Sequence, residues 1–112
     1  MSQITTHVLD TSLGRPGQKI KIELQKPDGV NWKTIAQGVT NDDGRISDLL
    51  KPDEVLEPGV YKMFFHSGDY FRFMGINTFF PYVEIVFETT DTEHYHVPLL
   101  LNPFGYSTYR GS

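Results

Sequence analysis

The sequence predicts an all-β fold, a sandwich or barrel of short strands carrying one short helix, and three observations support it. Several runs alternate apolar and polar residues with a period of two, turn-forming residues punctuate those runs, and a single segment carries helix start and stop signals. The 112-residue length is that of one domain, which buries roughly 65% of its unfolded surface, so we expect a single domain over residues 1–112. Eight Phe and six Tyr are enough for a packed interior or an adhesive subunit face.

The first β-rich run is Ile4 to Leu9, followed by the turn residues Gly14-Arg15-Pro16-Gly17. The clearest strand is Lys19-Ile20-Lys21-Ile22-Glu23-Leu24, where charged and aliphatic residues alternate strictly, as on a half-buried strand. Lys26-Pro27-Asp28-Gly29 then supplies a turn, and Trp32 to Val39 reads as the returning strand of a hairpin. Asn41-Asp42-Asp43-Gly44 marks another turn, and Pro58-Gly59 precedes a run from Val60 to Phe65. A helix of one or two turns is expected at Asp69 to Met74, capped by Ser67 or Asp69 and stopped by Gly75. Tyr82 to Thr89 and Tyr95 to Leu101 are the last strand-like runs. Pro98 has no N–H to give a ladder, so local irregularity is expected beside His96. Taken alone, Tyr106 to Ser112 reads as a frayed end.

Composition removes several classes of function. A formal charge of −4 with no cluster of Lys or Arg lacks the electrostatic footprint of nucleic-acid binding. Without cysteine there is no thiol nucleophile, disulfide or Cys-ligated zinc. Apolar runs such as Pro98-Leu99-Leu100-Leu101 are too short to span a membrane. The N-terminus enters a strand pattern without a basic and apolar leader, which points to a cytoplasmic protein, or a periplasmic one had a leader been removed.

The residues able to do chemistry are scattered. His94 and His96 lie two apart on one strand face, a spacing that can chelate a metal, yet no third ligand stands at a readable spacing. Their plain reading is a solvated His94 and a partly buried His96, with no metal expected. His7 sits in a run that places Thr5, His7 and Leu9 on one side, where a lone histidine is ordinarily structural. Arg45 follows a turn, where an arginine is ordinarily a surface residue.

Read jointly, these segments carry more. His7-Val8-Leu9-Asp10-Thr11 with Leu13-Gly14-Arg15-Pro16 opens the chain, Gly44-Arg45 stands in the middle, and Tyr95-His96-Val97-Pro98-Leu99-Leu100-Leu101 leads to Pro103-Phe104-Gly105-Tyr106-Ser107-Thr108-Tyr109-Arg110-Gly111-Ser112. This set resembles the 5-hydroxyisourate hydrolases, the enzymatic branch of the transthyretin-like proteins, nearly end to end. The closing Tyr-Arg-Gly-Ser discriminates most, because transthyretin shares the approach to it but lacks that ending and the catalytic histidines.

The resemblance implies a transthyretin-like, immunoglobulin-like sandwich of two four-stranded sheets with one short helix, assembled as a homotetramer, a dimer of dimers whose channel holds the sites. It implies a small-molecule substrate, no cofactor, and hydrolysis of a ring lactam of 5-hydroxyisourate to 2-oxo-4-hydroxy-4-carboxy-5-ureidoimidazoline in urate catabolism. His7, Arg45, His96, Tyr109 and Ser112 are the implied catalytic residues, with His7, Arg45 and Tyr109 binding substrate. One histidine is expected to act as base for water while the other orients the water or protonates the leaving nitrogen; either order fits. Arg45 suits substrate anchoring, Tyr109 hydrogen bonding or stacking, Ser112 with its terminal carboxylate orientation, and Arg110 retention of the tail. The alternatives are a transthyretin-like carrier that binds without hydrolysing, and a structural oligomer in which the same groups are interface polar residues.

Overall fold

A computed structural model of the chain describes residues 2–112. Ten elements follow one another: β1 (Ile4–Asp10), β2 (Arg15–Pro16), β3 (Lys21–Asp28), β4 (Asn31–Val39), β5 (Arg45–Ile46), β6 (Gly59–Phe65), α1 (Ser67–Phe73), β7 (Val83–Thr89), β8 (Tyr95–Asn102) and β9 (Gly105–Thr108). One sheet runs β4-β3-β6-β7, and the other runs β2-β1-β8-β9 with β5 also paired to β1. Since β8 pairs with all of β1, the two-residue strands β2 and β5 share β1's other edge, at Leu9–Asp10 and Thr6–His7 respectively. The second sheet therefore has four strand positions, one of them filled by two short segments. The expected pair of four-stranded sheets with one helix is the architecture found.

The alternation read in the sequence is realised as burial. Along β1, Ile4, Thr6, Val8 and Asp10 are buried while Thr5, His7 and Leu9 are only half-buried. The inward faces of both sheets meet in one apolar cluster that includes Ile4, Val8, Ile22, Leu24, Met63, Phe65, Val97 and Leu99. Each such side chain contributes roughly 1.5–3 kcal/mol on leaving water, the principal force holding the sheets together. Lys62 faces outward yet is nearly covered, because its ammonium pairs with Glu84 at 2.5 Å and lies 4.5 Å over the Trp32 ring.

Several boundaries differ from the sequence expectation, each for a local reason. The third strand starts at Lys21 rather than Lys19, whose backbone takes a φ of 60°. It then runs through Pro27 to Asp28, so the turn is tighter than expected, with Asp28 paired to Asn31. Proline is tolerated there because β6 pairs with β3 only up to Gln25. The helix starts two residues earlier than expected, at Ser67, with neither Ser67 nor Asp69 as its N-cap; His66 holds that position without a side-chain bond. The terminal segment is not frayed: Gly105 to Thr108 forms β9 against β8. Among the described residues, no helix is long and apolar enough to cross a membrane.

Asp10 ties the N-terminal strand to the helix. Its fully buried carboxylate accepts hydrogen bonds from the Ser12 and Leu13 amides, the Ser12 hydroxyl and, at 2.7 Å, the Tyr70 hydroxyl. Burial and this carboxylate push the Tyr70 phenol well above its ordinary range. Asp10→Ala strands several donors at once, and urea denaturation should show a loss of about 2–4 kcal/mol. Tyr70→Phe, which removes one bond, should cost about 1 kcal/mol; equal costs for the two variants would contradict a network centred on Asp10.

Candidate active site

The parallel register of β1 and β8 sets Thr5 opposite His96 and His7 opposite Pro98. Both histidines therefore point from the same face, the one turned away from the other sheet. On β1's opposite edge, the antiparallel register sets Arg45 directly beside His7. Arg45, His7 and Pro98 thus form one row across the sheet, with His96 in the adjacent row.

Arg45 is brought there by the turn the sequence marked. Asn41 Oδ1 accepts from the Asp43 and Arg45 amides at 2.9 and 3.0 Å, and the Gly44 carbonyl accepts from the Val8 amide. Gly44 has a φ of 73°, and a Cβ there would collide with the Val8 carbonyl oxygen, so a glycine is required for the turn to reach β1. Local chemistry at Asn41 and Gly44 therefore sets Arg45 beside His7 in the sheet.

The tail continues the register of β9. Leu99 pairs with Thr108, and His96 bridges Gly111 through a 3.0 Å bond from the Gly111 amide to the His96 carbonyl. The same register sets Tyr109 opposite Pro98, in the row of His7 and Arg45. On β8 the Tyr95 amide and Leu101 carbonyl serve the β1 side while the His96 carbonyl serves the tail, so Pro98, two residues on from His96, also faces the tail. The absent N–H thus costs β1 nothing and interrupts only the pairing of Tyr109. The Pro98 carbonyl instead accepts from the Thr108 hydroxyl at 2.7 Å. This is the irregularity expected beside His96.

Two contacts hold the tail across that gap. The Arg110 guanidinium lies 4.5 Å over the Tyr95 ring, whose hydroxyl donates to Asp91 at 2.8 Å. Gly111 lies against the His96 imidazole: a Cβ there would sit 2.5 Å from the ring's Cδ2. A cavity of about 270 Å³ between β7 and the tail includes Glu88, Tyr95, His96, Tyr109 and Arg110 in its lining. The larger cleft, about 510 Å³ between the β2–β3 segment and α1, contains none of the predicted site residues.

Electrostatics favour neutral imidazoles. Burial and then the Arg45 cation hold His7 below the ordinary histidine value of 6.5, against the opposing influence of the Asp43 carbonyl and carboxylate. Burial, Arg45, His94 and His7 lower His96, with the Thr5 carbonyl opposing them. His96 Nδ1 is 2.8 Å from the Thr5 hydroxyl, which is also 2.8 Å from His94 Nε2. Among the described residues, His96 Nε2 has no hydrogen-bond partner. A neutral imidazole with a free nitrogen, within the field of the Arg45 cation, is suited to take a proton from water and to face developing negative charge.

Of the five residues singled out in the sequence, His7, Arg45, His96 and Tyr109 occupy one face in adjoining rows. Ser112 follows Gly111 at the exposed end of the tail, with no hydrogen bond to either histidine. Sequence reasoning gave Thr5 no role, although its place on the His7 side of the strand was readable; its two contacts depend on the β1–β8 register. It likewise left His94 as a solvated residue.

The family model for the HIUase/Transthyretin family matches residues 4–111. The 5-hydroxyisourate hydrolase of Mus musculus is 45% identical, the match covering 99% of this chain and 96% of the relative. The solved structure of Klebsiella pneumoniae 5-hydroxyisourate hydrolase superposes with a TM-score of 0.85 at 35% identity, covering 97% and 92% of the two chains. Sea bream transthyretin, solved in complex with thyroxine, gives a TM-score of 0.90 at 28% identity, covering 98% and 95%. With nearly its whole length matched and the family's two-sheet fold in place, this chain belongs to the HIUase/Transthyretin family.

Proposed function

We propose that this chain is a 5-hydroxyisourate hydrolase, acting in urate catabolism as one domain over residues 1–112. The observation that carries the reading is the juxtaposition of His7, His96 and Arg45 on one sheet face, with the Tyr109 tail folded back into their rows. The names of relatives sharing almost the full length support the same substrate. Water attacks a ring carbonyl of 5-hydroxyisourate, the carbon–nitrogen bond opens, and the leaving nitrogen takes a proton. The product, 2-oxo-4-hydroxy-4-carboxy-5-ureidoimidazoline, carries the new carboxylate.

One imidazole accepts the proton of the attacking water while the other orients the water or delivers the proton to nitrogen. The Arg45 guanidinium anchors the electron-rich ring and stabilises the oxyanion at the attacked carbonyl. Tyr109 donates to the substrate or stacks on it, and Ser112 assists orientation. The residues require no cofactor for this chemistry.

The site is open on the face turned away from the second sheet, where Arg45 and Tyr109 are exposed. We infer that further copies cover it in a homotetramer, a dimer of dimers. Edge pairing through the end strands β7 and β9 and face-to-face packing of the histidine sheets would close the channel.

Absorbance decay of 5-hydroxyisourate generated in situ by urate oxidase tests the activity: the protein should accelerate it. No acceleration would favour a ligand-binding role. In the same assay, His7→Asn and His96→Asn should each lower kcat/KM by about 10²–10⁴-fold; normal turnover by both would end the two-histidine mechanism.

Because both imidazoles are held below the ordinary 6.5, kcat/KM should stay level as pH falls from neutrality to that value and decline only below it. An acid-limb midpoint at or above 6.5 would contradict the assignment.

A chain ending at Thr108 keeps β9 and should retain its oligomeric state by sedimentation while losing turnover. Gly111→Ala should also impair turnover, since its methyl meets the His96 ring. Full activity in either variant would remove the tail from the mechanism.

A further inference from the structure

We propose that Thr5 and His94 act as positioning residues that set the tautomer of His96, with the Thr5 hydroxyl coupling the proton position on His96 to that on His94. The chemical meaning of this coupling rests on the hydrolase reading above; its existence rests on geometry alone. Thr5 stands opposite His96 in the parallel register, and its Oγ1 lies 2.8 Å from both His96 Nδ1 and His94 Nε2. The two rings are 6.3 Å apart and 23° from parallel, one on each side of this hydroxyl.

A hydroxyl has one proton, so with both contacts made it donates to one ring and accepts from the other. Two arrangements satisfy both neutral rings. In the first, His94 Nε2–H donates to Thr5 and Thr5 donates to His96 Nδ1, which leaves the His96 proton on Nε2. In the second, His96 Nδ1–H donates to Thr5 and Thr5 donates to His94 Nε2, which leaves His96 Nε2 bare. Only the second presents a base on the open face.

Protonation of His94 selects between them. A doubly protonated His94 has no acceptor, so Nε2–H must donate to Thr5, and Thr5 must then donate to His96 Nδ1. His96 is thereby converted from a base into a donor at Nε2 without itself gaining charge. His94 is exposed whereas His96 is half-buried.

The other charged and titratable groups around His96 are His7 on β1, Arg45 on β5, Tyr109 and Arg110 on the tail, and Glu88 on β7 across the cavity. Among the described residues, none of these hydrogen-bonds to His96 Nδ1. The same geometry gives Thr5 a purpose on a face where a β-branched residue is otherwise only a good strand former.

The test is long-range ¹H–¹⁵N spectroscopy of the imidazoles through a pH titration, alongside the decay assay, on wild type, Thr5→Val and Thr5→Ser. Valine keeps the branched shape, and an unchanged dispersed spectrum verifies the fold. In wild type, His96 should carry its proton on Nδ1 at high pH and shift towards Nε2–H as His94 protonates. Thr5→Ser should preserve that response, whereas Thr5→Val should abolish it. Turnover should follow: Thr5→Val should lower kcat by about ten- to a hundredfold with KM within about twofold, and serine should restore most of it. A His96 tautomer that ignores His94 in wild type, or Thr5→Val with unchanged kcat, overturns the proposal. A wild type that shows the tautomer coupling but does not speed 5-hydroxyisourate decay sinks the hydrolase reading alone.

Discussion

Seven consecutive residues of β1 lie beside seven of β8 in parallel register, joining segments about ninety positions apart. A sheet has a side-chain period of two, so a slip of one residue would turn every inward residue outward. Ile4, Val8, Val97 and Leu99 resist any slip because each would leave the core. His7 and His96 inherit their shared face from that apolar constraint. The core thus specifies the geometry of polar groups it never touches.

The neighbouring strands refine this arrangement from both sides. On one edge, the Asn41–Gly44 turn delivers Arg45 to His7, and its cation helps keep both imidazoles neutral. On the other, the tail returns along β8 and seats Gly111 on the His96 ring. His96 is thereby confined by the Thr5 hydroxyl at Nδ1 and by backbone against the ring carbons, while Nε2 stays available. Preorganisation of this kind lets a small, loop-poor domain present a defined constellation on an open sheet.

The strands with clean alternation, β1 and the start of β3, were legible in the sequence because their burial is one-sided, whereas β8 was located as an apolar, β-rich run. β4 was located, but its face could not be followed. A bulge leaves Ile35 without a register partner between Thr34 and Ala36, and this shifts the phase of alternation. β2 and β5 have two residues each, too few to show any period. The site was unreadable by composition for a different reason, since His7, Arg45 and His96 are each ordinary in isolation and meet only through pairings of long sequence separation. The joint resemblance of the terminal motifs identified the members, whereas the Thr5–His94 contacts required the register itself. Ser112 shows the converse: a motif named it, and the chain places it at an exposed end without a bond to either histidine.

The crowding of β2 and β5 onto one edge of β1 also bears on how the protein avoids aggregation. Unpaired sheet edges invite further strands, and proteins commonly blunt them with short strands, bulges and lysines. Here one side of the sandwich is blunted in both layers, by the two-residue pieces beside β1 and by the bulge and Lys33 on β4. The opposite side, formed by β7 and β9, keeps its regular ladders to β6 and β8. Chains with two adhesive sides can grow into fibres without limit, while chains with one can only pair and stop. The asymmetry between its two margins therefore gives this sandwich a built-in terminus to edgewise growth.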